Sequence, residues 1–200
     1  VTNLSSSIVN SIYNFQLMKF AGENGVAAYG TIMYVNFIFI AIFLGYSIGS
    51  APIISFHYGA KNDNELKNLF KKSISLIGSW GIMLFVIAQL IAGPLAKLFV
   101  GYNADLFLMT KHGFQIFCFA FLINGFNIFG SSFFTALNNG LISAAISFLR
   151  TLVFQLSVVL ILPMILGING IWISVAIAEL LTLCVTVTCL IRKRKVYHYI

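Results

Sequence analysis

Long apolar runs, interrupted at short intervals by Gly, Asn and a few charges, set the pattern of this chain. A helix that crosses a hydrocarbon core of about 30 Å needs about 20 residues at about 1.5 Å each. Six runs meet that requirement: Leu4–Phe20, Ala28–Phe56, Ile74–Phe99, Phe114–Ala136, Leu141–Leu166 and Ile168–Ile191. The breaks between them carry turn chemistry: Ala21-Gly22-Glu23-Asn24-Gly25, Val100-Gly101-Tyr102-Asn103, Asn138-Asn139-Gly140 and Gly167-Ile168-Asn169-Gly170. Pro94 and Pro163 fall near span ends, where a missing amide donor is easiest to accommodate. The stretch after the second run reads as a separate surface helix, a mechanical link lying on the membrane. Asn62 is its cap, Glu65 follows three residues on, and Leu66, Leu69 and Phe70 form an apolar edge.

Composition agrees with an all-α, polytopic membrane protein. Of 200 residues, 60% are hydrophobic and 8% charged, against roughly 25% charged in soluble domains. The net charge of +7 does not point to nucleic acid, because the basic residues cluster beside apolar runs. Lys61, Lys67, Lys71, Lys72, Arg192, Lys193, Arg194 and Lys195 fall on one side, and Lys19, Lys97 and Lys111 on the other. The positive-inside rule then places the long loop, the tail and both ends in the cytoplasm, with the lipid bilayer as the first partner. Cys118, Cys184 and Cys189 lie in apolar runs with neither disulfide nor metal spacing. The sequence opens at Val1 without a signal peptide or initiator Met, which leads to the expectation of an excised half, a truncated frame or a fragment.

No nucleophile–base pair, metal-ligand cluster or phosphate loop stands out, so the reading is not an enzyme. The informative residues are polar ones inside apolar spans, which are costly in lipid and face a cavity or another helix. Asn3, Ser7, Asn10 and Asn14 form one helical stripe in the first span, opposite an apolar face of Leu4, Ile8, Ile12 and Phe15. Asn124, Asn127, Ser131 and Thr135 form a second stripe in the fourth. Two readings stay open: interhelical hydrogen-bonding glue, or the wall of a water-accessible pocket. Arg150 and Glu179 lie deep in the fifth and sixth spans. Folding the hairpin at Ile168 leaves them about 10 Å apart in depth, a gap for a water or long side chains to bridge rather than a direct ion pair. Glu179 is then protonated, partnered or facing water, in a structural pair or a coupling site. Gly45 and Gly49 are spaced for close approach of another backbone, with Pro52 marking a helix bend.

The block Gly45–Lys61, ending Gly59-Ala60-Lys61, resembles the multidrug and toxin extrusion (MATE) transporters. So do Ala27-Ala28-Tyr29-Gly30, Ser147-Phe148-Leu149-Arg150, and Gly167-Ile168-Asn169-Gly170-Ile171-Trp172 leading to Ala178-Glu179. The resemblance covers the whole chain as the carboxy-terminal six-helix lobe, and the Ala-Glu ending looks most like the MepA-type bacterial branch. It implies residues 1–200 as one lobe of a twelve-helix exporter, with the amino-terminal lobe outside this sequence. That exporter would alternate its cleft between the two faces of the cell membrane. It would be driven by H⁺ or Na⁺, need no cofactor, and expel small cationic or amphipathic compounds. In the NorM branch this lobe supplies carboxylates for cation coupling from its first and fourth helices. Here those helices carry Asn10, Asn14, Asn124 and Asn127 instead, which puts such a cation site in doubt. The competing readings are a flippase for lipid-linked oligosaccharides from the same superfamily and a non-transporting fragment.

Overall fold

The computed structural model describes residues 2–199, with side chains from Ser7 onward. The described residues are all-α and hold five helical stretches long and apolar enough to cross a membrane. The first stretch, Thr2–Gly59, is two helices. At Gly22 φ is 62° and ψ −153°, a region open essentially to glycine alone. The chain folds back there: the Tyr29 ring stacks on Tyr13 at 5.3 Å, and its hydroxyl donates to Asn10 Oδ1 at 3.3 Å. In one straight helix, residues 10 and 29 would lie about 28 Å apart. Six helices therefore result: α1 (2–21), α2 (23–59), α3 (Asp63–Val100), α4 (Ala104–Ala136), α5 (Gly140–Leu166) and α6 (Ile168–Tyr197). Gly167 repeats the Gly22 geometry, with φ 59° and ψ −140°, and folds α6 onto α5 with no intervening loop.

Side-chain caps set the other starts. Asn62 Oδ1 accepts from the Glu65 amide, Asn103 Oδ1 from the Asp105 and Leu106 amides, and Asn139 Oδ1 from the Ile142 amide. Each satisfies donors that a helix leaves unpaired at its first turn. The Asn62 cap is as expected, but it opens no separate surface helix. Asp63–Val100 is one uninterrupted helix of 38 residues, about 57 Å long. Leu66 is fully buried, and Phe70 packs on Phe133 and Tyr199 at 5.0 and 5.1 Å. Packing of this apolar edge into the bundle carries the third span outward by more than two turns. The fourth span likewise starts ten residues before its expected Phe114, at Ala104 behind the Asn103 cap.

Helix α4 is the most buried of the six and runs parallel to both α2 and α6. Ser132 and Ser55 tie it to α2, through the Ser47 and Ala136 carbonyls at 3.1 and 2.9 Å. Small residues bring the neighbours close, as membrane helices require where hydrophobic burial gives no preference for contact. A Cβ on Gly125 would sit 2.6 Å from the Phe43 ring, and one on Gly130 would collide with Thr186 Cγ2. Gly45 and Gly49 do not play this part. Among the described residues, a Cβ on either meets nothing within 4 Å, and both are exposed. Helical dihedrals continue through Pro52, which lies inside α2.

Thr186 cannot swing away from Gly130 without giving up its hydrogen bond to Asn127 Oδ1 at 3.1 Å. Gly130→Ala is therefore expected to destabilise the chain by about 1–3 kcal/mol, as overpacking of a filled core does. Thermal unfolding in detergent measures it; an unchanged midpoint would show that α6 can retreat freely.

Candidate functional site

One polar cluster joins α4, α5 and α6 at mid-depth. Glu179 on α6 receives Arg150 of α5 on its Oε1, from Nη2 at 2.7 Å and Nε at 2.8 Å. Its Oε2 accepts from Asn127 Nδ2 of α4 at 2.8 Å. The same Asn127 nitrogen donates to the Glu179 backbone carbonyl at 2.8 Å, which fixes α4 against α6. The Asn124 amide, oriented by its neighbours as such amides must be, donates to Glu179 Oε1 at 3.0 Å and to the Ala120 carbonyl at 3.3 Å. Four hydrogen-bond donors thus converge on one carboxylate whose side chain is 7% exposed. A charge buried this deeply persists only when paired and hydrogen-bonded.

The direct Arg150–Glu179 ion pair corrects the expected gap. Counting depth in whole α-helical turns overlooked the local backbone: Leu149–Gln155 is π-helical. Such widened turns are rare and collect at functional sites. With the long guanidinium stem, the widened turn brings the two charges into contact. Because positions four and five apart share a face there, Arg150, Thr151 and Gln155 all reach the same side of α5.

That side is a cleft of about 240 Å³ between α1, α2, α4, α5 and α6. Asn10, Asn36, Asn124, Arg150, Thr151, Gln155 and Glu179 form its polar wall, and Met33, Phe37, Ile40 and Val175 are part of its apolar wall. Asn36 is 8% exposed, and its Oδ1 has no hydrogen-bond partner. A buried amide left open costs about 1–3 kcal/mol, and here it sits at the edge of an open space.

The two asparagine stripes divide between both readings. Asn10 and Asn124 line the cleft, but Asn127 is fully buried behind it. Ser131 is interhelical glue, bonded to Ser143 and Ser147 Oγ at 2.9 Å each; Thr135 donates to Ser143 at 2.7 Å. Asn14 is exposed and lies outside the cleft, because α1 turns that position away from its neighbours. The side chains of Asn3 and Leu4 lie outside the described residues. Sequence reasoning missed Asn36, Thr151 and Gln155. Asn36 is a lone amide in an apolar run and forms no stripe. Ser143, Ser147, Thr151 and Gln155 do recur every four residues, a signal as regular as the two that were used.

The model of the MatE family matches residues 1–161. The chain belongs to the MATE family. A search of curated proteins finds no match. Among solved structures, the lobe is similar to an outward-facing multidrug resistance MATE transporter of the MOP superfamily, at TM-score 0.90 and 22% identity. It is equally similar to an inward-facing one, at TM-score 0.90 and 20% identity. A MOP superfamily transporter from Pyrococcus furiosus, described as having a binding pocket of reversed polarity that suggests a different function, gives TM-score 0.89 at 20% identity. Each match covers 98% of this chain but 44%, 46% and 44% of the other. This MATE chain thus spans less than half the length of the structures it matches.

Removing one partner of the cluster strands the other charge. Arg150→Gln or Glu179→Gln alone is expected to cost about 3–5 kcal/mol, and the double substitution to recover most of it. A thermodynamic cycle on folded protein in detergent reads this directly; additive losses would mean the two charges do not support each other.

Proposed function

We propose that this chain is one lobe of a two-lobed exporter that carries cationic or amphipathic compounds across a cell membrane by alternating access. The observation that carries the reading is the half-polar, half-apolar cleft at mid-depth in a MATE fold. A site of this kind suits amphipathic guests: the apolar wall takes the ring system, and a few placed amides orient it. Rigid-lobe rocking is supported by the equal TM-scores, 0.90 each, against an inward- and an outward-facing relative. The basic asymmetry supports both ends of the segment in the cytoplasm.

Coupling to H⁺ or Na⁺ is part of the proposal. Glu179 is the one carboxylate away from a helix end, and its oxygens are already occupied by Arg150, Asn124 and Asn127. Those bonds favour a structural, cleft-shaping role for the pair, which supports a reading with the coupling carboxylate outside this lobe. The flippase reading fares worse. A pyrophosphate calls for several cationic side chains, and the cleft offers Arg150 alone, held by Glu179.

The test is gradient-driven dye efflux by the transporter containing this lobe, normalised to folded protein in the membrane. Asn10→Leu and Asn36→Leu are expected to change the profile of exported compounds several-fold with abundance unchanged. Asn127→Leu should lower abundance instead, since it removes three hydrogen bonds behind the cleft. Glu179→Gln combined with Arg150→Gln should keep pH-driven export. Normal abundance with coupling abolished in that double variant would move the coupling site to Glu179.

A further inference from the structure

A second groove lies at the basic end of the bundle, away from the cleft. It is lined by Lys67, Phe70, Lys71, Ile74 and Tyr199 and encloses about 340 Å³. Lys67 and Lys71 are four residues apart on α3, so their ammonium groups share one face of the helix. Both are exposed, and among the described residues the one ion pair is Arg150–Glu179, so neither lysine has an acidic partner. Arg192, Lys193, Arg194 and Lys195 close the same end from α6.

The apolar floor is built, not incidental. After α6 the chain turns through His198 at φ 54°, which returns Tyr199 into the bundle. Tyr199 is 1% exposed, donates to the Leu190 carbonyl at 2.7 Å, and packs on Phe70 and Phe133 at 5.1 and 4.9 Å. The groove also has a direction. Lys67 and Lys71 precede the apolar run that begins at Ile74, so its basic end lies at headgroup level and its apolar end at the edge of the hydrocarbon.

We propose that this groove is a binding site for one anionic phospholipid, with its phosphate between Lys67 and Lys71 and the start of an acyl chain over Phe70, Ile74 and Tyr199. The charge is complementary, since juxtamembrane lysines attract anionic headgroups and pockets of this kind hold them. The order of chemistry along the groove matches the order along a lipid. A free anion would use the lysines but leave the aromatic floor empty, so the source is the bilayer. By bridging α3 and the chain after α6, the lipid would fasten the bundle at its basic end.

The experiment uses the folded transporter containing this lobe, purified in detergent, with native mass spectrometry for adducts and thermal unfolding for stability. Phosphatidylglycerol is expected to remain as a single adduct and raise the unfolding midpoint, and phosphatidylcholine and inorganic phosphate to do neither. Lys67→Gln with Lys71→Gln, both at exposed positions, should weaken the phosphatidylglycerol adduct about tenfold or more. Lys72→Gln with Lys195→Gln removes the same charge away from the groove and should leave it within about twofold. Equal binding of phosphatidylcholine, equal stabilisation by phosphate, equal loss in the two double variants, or no adduct at all would each overturn the proposal.

Discussion

The Glu179 carboxylate is the constraint around which this lobe is arranged. Two helices supply its donors, Asn124 and Asn127 from α4 and Arg150 from α5, and Asn127 also donates to the Glu179 backbone carbonyl of α6. In hydrocarbon an unpaired charge is among the most expensive groups a helix can carry, so the bundle is stable only in the register that completes this cluster. The π-helical turn on α5 is part of the same requirement, since it contains Arg150 and faces Thr151 and Gln155 toward the cleft. Gly130 and Thr186 then set how near α6 comes to α4. Structure and site are therefore not separable: the group that locks the helices also forms one wall of the pocket.

Much of this was legible in the sequence. Length and hydropathy located all six spans, because a crossing helix needs a minimum run of about 20 apolar residues. Gly22, Asn103, Asn139 and Gly167 marked the breaks through backbone chemistry that acts within a few residues. Arg150 and Glu179 stood out because a charge inside a span is rare. What failed was information carried by tertiary contact. Gly45 and Gly49 have the spacing of a helix contact, yet this chain leaves them open. Residues 63–73 have the polarity of a surface helix, yet burial of Leu66 and packing of the half-buried Phe70 extend α3 through them. The ion pair was misjudged because a π-helical segment has no clear sequence mark. Asn36 was missed because a single amide makes no period.

The middle of the lobe and its basic end have different characters, and the difference follows from solvent. At mid-depth, polar groups must find each other or a guest, and the hydrogen bonds there are dense and directional. At the basic end, aromatic rings from Phe70, Phe133 and Tyr199 pack beneath lysines that reach water. Polar contacts thus hold the middle of the bundle and apolar ones its rim.

The central claim is that the cleft beside Glu179 is the path of the transported compound. Thiol accessibility at Asn36 tests it most directly. The measurement uses Asn36→Cys in a transporter whose Cys118, Cys184 and Cys189 have been replaced, and a membrane-impermeant reagent applied from each face. The account predicts that the thiol reacts from a face in a way that shifts with the imposed ion gradient, and that a transported compound protects it. A thiol that reacts from neither face, or whose labelling is indifferent to a compound being exported at the normal rate, would contradict it.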